Sequence, residues 1–260
     1  MKLPEFTSPP VVEVAMDVQF RALLDLRGLR LAPLYETWRE AYPKVEEQPP
    51  LVPAIEGAAL PFQLNIGSVP IRYWFVSEQG NDLVQLQPDR LSVNWREITG
   101  AEQYPRYTYV REVFTRRLSD LSNFVMKEGL GALEIVQAEL SYINAIELQG
   151  ASQGALSGVL HAWRGFGSHH LGEPEQVRLG ASFKVDGLGQ PPVRMHVQVN
   201  PGENARGEAV QFLSLVVRGN PGGGTASDAL AFFDKAHEHI VTSFTELTVD
   251  QLHEVWGRQP

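Results

Sequence analysis

The chain has 260 residues, of which 31 are acidic and 22 basic, so its formal net charge is −9. It contains no cysteine, which excludes disulfides, thiolate metal sites and a cysteine nucleophile. Net acidity does not favour non-specific nucleic-acid binding, because that binding depends on neutralising phosphates. No stretch approaches the roughly 18 apolar residues of a membrane-spanning helix, and residues 1–20 lack the pattern of a signal peptide. We therefore expect a cytoplasmic protein without a membrane partner.

The first half of the sequence predicts a strand, a short helix, several antiparallel strands and a long helix. Strict alternation of apolar residues over 11–20 predicts the first strand, and the apolar stripe over 32–43 predicts the short helix. Six prolines make residues 43–70 a predicted loop with one short strand, LPFQLNI, inside it. Apolar residues three and four apart predict the long helix over 105–128.

Residues 83–96, LVQLQPDRLSVNWR, form the best-patterned segment and predict a β-hairpin. Pro88-Asp89 suits the turn, because proline fixes φ at its first central position. Pairing Gln87 with Arg90 then collects the apolar residues of both strands on one face: Val84, Leu86, Leu91, Val93 and Trp95. A slip by one residue would mix the two faces, so the sequence specifies this register strongly.

The second half repeats the same order of patterns. A long strand is predicted over 133–148, and a short helix over 154–164. Three strands are predicted over 177–186, 193–200 and 209–219. The last long helix is predicted over 227–247, and Thr248 with Gln251 resembles a capping box that would begin one more short helix.

These patterns predict an α+β fold with two similar halves, 1–130 and 131–260, that form one compact unit. Each half is expected to be a strand, a helix, an antiparallel meander and a long helix. Such a unit packs its helices on one face of its sheet. TATA-binding-protein-like and helix-grip folds share this order, so we expect a pseudo-dimer of one of these types; the analogy concerns the fold and not the chemistry.

Several stretches resemble a sporadically distributed prokaryotic family of uncharacterised proteins of about 250–270 residues. They are the opening PPVVEVAMDVQF, the hairpin LVQLQPDRLSVNWR, YPRY at 104–107, ELSYIN at 139–144 and HEHIVTSFTELTVDQLHEVWG near the C-terminus. The resemblance spans nearly the whole chain and implies a shared organisation. It implies no catalytic residues, cofactor or activity.

The histidines do not predict a metal site. His161, His169, His170 and Glu173 lie close together in the sequence, around a glycine-rich loop. Their spacing matches no metal-ligand motif, so we predict no metal, no cofactor and no catalytic residue from them. A hydrogen-bonded core histidine is the expected role of His237, because it falls on the apolar stripe of the last long helix.

Two other features have a functional and a structural interpretation. Glu13 and Asp17 point the same way on the first strand, and with Glu139 of the second half they could line a groove; solvated carboxylates at the sheet edge are the simpler interpretation. The glycine-rich segment over 221–228 could bind an anion through the amides that open the following helix. It lacks the lysine of a phosphate-binding loop, which favours a plain loop before a capped helix.

The polar face of the predicted sheet is the candidate binding surface. Its strands carry arginines that could bind phosphates or carboxylates, and amides that could read a base or a peptide. The alternative is an ordinary solvated face of an antiparallel sheet. The residues expected to bind a ligand or partner are Arg90, Asn94, Arg96, Arg178, Arg194 and His196.

The absence of catalytic motifs favours a binding protein over an enzyme. The first hypothesis is a non-enzymatic interaction protein that uses its polar sheet face or a cleft between its halves. Its partner would be a protein or a small anionic ligand, and it could be a homo-oligomer. An antitoxin-like, immunity-like or defence-associated partner protein is the second hypothesis, because an acidic chain suits a basic partner. The third is an enzyme of unrecognised type with histidine and carboxylates near residues 165–173.

Overall fold

The computed structural model describes residues 3–52, 55–57, 71–147, 156–165, 170–172 and 174–259. Within these ranges the chain forms nine strands and four α-helices. The strands are β1 (Val11–Phe20), β2 (Lys44–Gln48), β3 (Arg72–Val76), β4 (Asp82–Gln87), β5 (Arg90–Arg96), β6 (Ile135–Glu147), β7 (Leu179–Lys184), β8 (Gln190–Glu203) and β9 (Ala209–Asn220). The helices are α1 (Ala32–Trp38), α2 (Tyr107–Lys127), α3 (Ala226–Leu247) and α4 (Asp250–Val255).

The described strands form one sheet in the order β2-β3-β4-β5-β1-β6-β9-β8-β7, and every neighbouring pair is antiparallel. Strands β1 and β6 pair at the centre, so the sheet continues from the first half of the chain into the second. Counted outward from this central pair, the order is β1, β5, β4, β3, β2 on one side and β6, β9, β8, β7 on the other.

The predicted hairpin is confirmed in its register. Gln87 pairs with Arg90, and Val84 pairs with Val93. Val93 is buried under the helices, as the alternation of apolar residues predicts. The opposite face differs from an ordinary solvated sheet face, because Ser92, Asn94 and their polar neighbours on β4 are buried as well.

The hydrophobic core lies between one face of the sheet and the long helices α2 and α3. The two helices meet through Phe114 and Phe233, whose rings pack edge to face with centroids 5.0 Å apart. Aromatic pairs in this geometry stabilise a core beyond the area that they bury. No helix in the described part of the chain is long and apolar enough to cross a bilayer.

Two predicted helices are wrong. The helix expected over 32–43 ends at Trp38, because residues 44–48 pair with β3 as an edge strand. The helix expected over 154–164 is a 3₁₀ turn at Leu156–Gly158 within the described residues, and Leu160 then bridges to Thr248. Residues 151–155, and the whole of the predicted strand LPFQLNI, lie outside the described residues.

The capping box predicted at Thr248 is also absent. Thr248 is extended, its hydroxyl donates to the Phe244 carbonyl over 2.7 Å and lies 2.8 Å from Nε2 of His253. Helix α4 begins after Val249 without a side-chain cap. The cause is tertiary: the β-bridge to Leu160 holds Thr248 in an extended conformation and its hydroxyl faces the preceding helix.

Candidate functional site

Five of the six predicted binding residues lie on the polar face of the sheet, where groups of the same chain already engage them. Arg90 is buried and donates to Asp17 over 3.4 Å. Asn94 is buried, donates to Glu13 over 2.7 Å and accepts from Gln85 over 2.9 Å. Neither side chain is free to meet a ligand in this conformation.

Arg96 and Arg178 are less enclosed than Arg90. Arg96 is half-buried and its Nε donates to the Gly80 carbonyl over 3.1 Å. Its guanidinium also lies 5.6 Å from the centre of the Trp74 ring, and it lines an open depression of about 510 Å³ on the polar face. Arg178 is exposed directly before β7, so solvent reaches it most freely of the six.

Arg194 and His196, together with Arg218, converge on the carboxylate of Glu56. Arg194 donates to Oε1 over 2.5 Å, His196 Nε2 lies 2.9 Å from Oε2, and Arg218 lies 3.9 Å from the same oxygen. We call these three residues the carboxylate clamp. Burial by itself would raise the pKa of Glu56, but the hydrogen bonds from His196 and Arg194 outweigh it and hold that pKa below its ordinary value.

Glu56 belongs to a segment that crosses the polar face after β2. We call its described residues, 49–52 and 55–57, the strap. The amide nitrogen of Leu51 donates to Oε1 of Gln87 over 3.0 Å, and Nε2 of Gln87 donates back to the Leu51 carbonyl over 3.1 Å. The Glu56 amide donates to Oε1 of Gln137 over 2.7 Å. Side-chain amides of the sheet therefore bind the backbone of the strap.

A row of polar residues runs across the sheet from β4 to β7, one from each of seven strands in register. Its members are Gln85, Ser92, Asp17, Glu139, Arg218, Arg194 and Lys184. Glu139 bonds to Arg218, and Ser92 donates to Asp17. The carboxylates of the predicted groove, Glu13, Asp17 and Glu139, are thus half-buried or buried and paired with Asn94, Arg90 and Arg218, and do not form a solvated edge.

Asp17 is the most strongly perturbed carboxyl of this row. Its burial raises its pKa to about 6, while the nearby Arg90 opposes the shift and Glu139 adds to it. Charged carboxylates lose favourable hydration when buried, so the neutral form gains in relative stability. The pair with Arg90 compensates for this cost only in part.

A second site lies on the helix-covered face, between the first and second halves of the chain. It is a cavity of about 590 Å³. Its lining includes the polar or aromatic side chains of Tyr104, Arg106, Tyr107, Tyr142, Asn144 and His237, and the N-terminal segment adds the carboxyl of Glu5. Apolar side chains complete the wall, among them Ile240 and Val241 of α3. We call this cavity the Tyr–His pocket.

Three side chains form a hydrogen-bonded chain along the pocket. The hydroxyls of Tyr104 and Tyr142 lie 3.1 Å apart, and the Tyr142 hydroxyl lies 3.0 Å from Nδ1 of His237. Tyr104 comes from the first half, whereas Tyr142 on β6 and His237 on α3 come from the second. Nε2 of His237 has no hydrogen-bond partner within the described part of the chain.

The ring of His237 is held in place by its neighbours. Tyr107 stacks on it with centroids 4.0 Å apart and planes 2° from parallel. The Tyr107 hydroxyl donates to Asp234 over 2.7 Å, and Arg111 donates to both oxygens of the same carboxylate over 2.6 and 2.9 Å. Because Asp234 precedes His237 by three residues on α3, this ion pair positions Tyr107 against the imidazole.

The His237 imidazole and the Tyr104 and Tyr142 hydroxyls are held neutral near pH 7. Burial lowers the pKa of His237 to about 4, with Asp234 opposing the shift. Burial also raises the pKa of Tyr104 to about 12 and that of Tyr142 well above its ordinary value. A neutral imidazole carries one proton, so His237 offers the pocket either a donor or an acceptor at Nε2, depending on its tautomer.

The N-terminal segment forms one wall of the pocket. Arg106 adopts a positive φ of 79° directly before α2, and its guanidinium donates to the Phe6 carbonyl over 2.9 Å and to the Thr7 carbonyl over 3.0 Å. A non-glycine residue at positive φ is uncommon and costs conformational energy. These two hydrogen bonds offset that cost and fix the wall.

The histidine cluster near residues 161–173 supplies no site in the described residues. His161 and His170 are exposed, while His169 and Glu173 lie outside the described residues. Within the described ranges, no group of three or more histidines and carboxylates is arranged to hold a metal ion. The structure therefore places the convergent polar groups elsewhere, in the Tyr–His pocket and the carboxylate clamp.

The glycine-rich loop before α3 ends in the predicted N-cap. Thr225 accepts from the Asp228 amide over 3.2 Å, and Asp228 accepts from the Thr225 amide over 3.0 Å, which completes a capping box. The carboxylate of Asp228 thus occupies the position that an external anion would take. This favours the structural interpretation of residues 221–228.

Comparison of the chain with models of protein families and with curated proteins finds no match. The site must therefore be interpreted from its own geometry. Sequence reasoning missed the Tyr–His pocket, although a signal was present. Tyr142, Asn144 and His237 are polar or amphipathic residues on faces whose other members are apolar. The segments YPRY at 104–107 and ELSYIN at 139–144 meet at this pocket.

Proposed function

We propose that this protein is a non-enzymatic binding protein whose ligand site is the Tyr–His pocket between its two halves. The hydrogen-bonded chain of Tyr104, Tyr142 and His237 along a cavity of about 590 Å³ carries this proposal. Small-molecule sites are typically concave and mostly apolar, with a few convergent polar groups. This pocket has all three properties.

The chemistry of the pocket suits an uncharged ligand with an apolar body and one hydroxyl or carbonyl group. Its hydroxyls and imidazole are neutral near pH 7. The guanidinium of Arg106 already donates to two backbone carbonyls. An apolar ligand body would contact Ile240 and Val241, while its polar group would pair with the free Nε2 of His237.

Binding is favoured over catalysis because the pocket lacks a nucleophile next to a base. Its histidine faces tyrosine hydroxyls whose pKa values are raised, so they resist deprotonation. General-base catalysis works best when the base has a pKa near the working pH, and burial moves His237 away from that range.

The proposal includes an internal pseudo-dimer of the TATA-binding-protein-like or helix-grip-like type, with halves 1–130 and 131–260. The matching outward strand orders, β1-β5-β4-β3 and β6-β9-β8-β7, support it. A pocket at the contact between two such halves would draw its residues from both. The lining residues of the Tyr–His pocket agree with that expectation.

Nile red tests this proposal, because it is an uncharged, largely apolar dye with a carbonyl group and its fluorescence rises on leaving water. We expect saturable fluorescence enhancement with the wild-type protein. Val241→Trp should fill the pocket and weaken dye binding at least tenfold. His239→Trp, which places the same ring on the exposed face of the same helix, is the matched control and should bind as the wild type does.

Tyr142→Phe adds a test of the polar groups within the pocket. It should weaken dye binding severalfold while leaving the cavity volume nearly unchanged. Equal dye binding by the wild type and Val241→Trp would contradict the proposed site.

A further inference from the structure

The carboxylate clamp binds a group that reaches it from a distant part of the chain. Glu56 precedes Arg194 by 138 residues and His196 by 140. Two adjacent strands, β8 and β9, supply the clamp, and hydrogen bonds between charged groups are the stronger kind in proteins. Two hydrogen-bonding side chains and one nearby guanidinium around a single carboxylate form a specific site for that group.

The neighbouring contacts recognise a peptide backbone. Gln87 both accepts from the amide and donates to the carbonyl of Leu51, and Gln137 accepts from the Glu56 amide. These contacts are independent of side-chain identity, whereas the clamp requires a carboxylate. Together they define a surface that would read an extended segment with one acidic side chain.

The strap lacks an apolar anchor on this surface in its described residues. Val52 is 72% exposed and Ile55 is 38% exposed, and Leu51 is only half-buried. Burial of apolar area is the dominant favourable term in most associations. The described residues of the strap are thus held mainly through polar contacts, and a segment held in this way can exchange with another segment that offers the same groups.

We propose that this surface is a binding site for an extended acidic segment of a partner protein, and that the strap occupies it in cis as an internal competitor. The site consists of the carboxylate clamp together with Gln87 and Gln137. The backbone contacts favour a peptide over a nucleic acid. This inference does not depend on the Tyr–His pocket.

A tethered competitor has an effective concentration in the millimolar range for a short flexible linkage. A free peptide would therefore bind the wild-type protein weakly. Removing the carboxylate of Glu56 should weaken the strap and open the clamp. Affinity for the external peptide should then rise.

The test uses a fluorescein-labelled peptide with the strap sequence QPPLVPAIEG and measures fluorescence anisotropy with the full chain. Glu56→Ala should bind it at least tenfold more tightly than the wild-type protein. A peptide with glutamine in place of its glutamate should bind Glu56→Ala at least tenfold more weakly. Equal affinity for the two peptides would overturn the proposal, and so would the absence of binding by folded Glu56→Ala.

Variants of the clamp complete the test in the Glu56→Ala background. Arg194→Gln and His196→Gln should each weaken peptide binding at least tenfold. Arg178→Gln is the matched control, because Arg178 is exposed on the same half of the chain and is not a clamp residue. An equal loss with Arg178→Gln would indicate general charge attraction and overturn the proposal.

Two further outcomes are decisive. If free acetate displaces the peptide as effectively as unlabelled peptide does, the site binds small carboxylates and the peptide proposal is wrong. If Glu56→Ala and the isosteric Glu56→Gln both unfold, Glu56 is a structural anchor and the competitor role is wrong. Nile red binding reports on the Tyr–His pocket separately, so failure of one proposal is distinguishable from failure of the other.

Discussion

On strand β5, neighbouring residues point to opposite faces of the sheet, and both faces are buried. Val93 is 1% exposed against the helices, and Ser92 is 4% exposed on the polar face. The helix-covered face is apolar with a few neutral polar groups at the Tyr–His pocket. The polar face instead carries a row of paired charges. The two faces are therefore equally buried but differ in chemistry: one is filled with apolar side chains, and the other with charged groups that pair with each other.

This comparison teaches that burial alone does not decide which substitutions the sheet tolerates. On the helix-covered face, a substitution is tolerated only if it introduces no charged group. On the polar face it depends on keeping each charge with its partner, because a buried charge without a partner is strongly unfavourable. The following predictions test this difference from the largest expected effect to the smallest.

Val93→Asp should destabilise the fold by about 4 kcal/mol or more, because it buries a carboxyl with no partner among the helices. The measurement is the free energy of unfolding from urea titration. Ile98→Asp is a control at a 41% exposed position and should change that free energy by less than about 0.5 kcal/mol. A small effect of Val93→Asp would show that the register is wrong.

Arg90→Leu should lower the free energy of unfolding by about 3 kcal/mol, since it leaves the buried Asp17 without its cation. Asp17→Asn should cost less than about 1 kcal/mol, because the fold already favours the neutral form of this group. If urea titration showed the same loss of unfolding free energy in both variants, the pairing of Asp17 with Arg90 would not be what stabilises this part of the sheet.

The two faces should respond to pH in opposite directions. The pKa of Asp17 is raised to about 6 in the fold. The stability that its protonated carboxyl contributes is therefore fully present below the ordinary pKa of aspartate and is lost as pH rises through about 6. The pKa of His237 is lowered to about 4. The stability that its neutral imidazole contributes is therefore present above the ordinary pKa of histidine and is lost as pH falls towards about 4.

Relative to the wild type, Asp17→Asn should therefore lose on the order of 2–3 kcal/mol of stability between pH 6.5 and 4. His237→Gln should gain a similar amount over the same range. Urea titrations at several pH values measure both slopes. If the stability differences of both variants changed with pH in the same direction, the pKa of Asp17 or of His237 would be shifted in the direction opposite to the one given above.

Tyr142→Phe should destabilise by about 1–2 kcal/mol, because it leaves the Tyr104 hydroxyl and Nδ1 of His237 unpaired in the pocket. Tyr104→Phe removes a terminal member of the chain and should cost about 0.5–1 kcal/mol. Thermal unfolding measures the difference. A larger loss of stability for Tyr104→Phe than for Tyr142→Phe would contradict the central position of Tyr142 between Tyr104 and His237.

The sequence alone predicts the described strands other than β2, the two long helices and the hairpin register, because these depend on local periodicity. Alternation along β5 separates Ser92 from Val93 without any knowledge of the partner strand. The alternation of apolar residues assigns side chains to a face of the sheet, but it does not predict which segment of the chain packs on that face. The strap is proline-rich and aperiodic, and Glu56 meets Arg194 across 138 residues, so burial of the polar face could not be predicted.

The candidate sites were predictable only in part. Arg194 and His196 were expected on one polar face, and they do converge, but their shared carboxylate lies in a predicted loop. His237 was expected to be a hydrogen-bonded histidine of the apolar stripe, and its contact with Tyr142 confirms this. Its stack on Tyr107 could not be predicted, because it depends on how α2 lies against α3.

Strand β1 leaves the ribosome before either of its partners, because both β5 and β6 lie later in the chain. Growth from Phe20 to Glu147, the end of β6, takes roughly 6–25 s at typical synthesis rates. An apolar strand with unpaired edges is prone to aggregate during such a delay. Glu13 and Asp17 interrupt β1 with two charges, which act as gatekeepers against self-association of the nascent chain. The carboxyl of Asp17, whose charged form the finished fold disfavours, thus protects the chain before the fold exists.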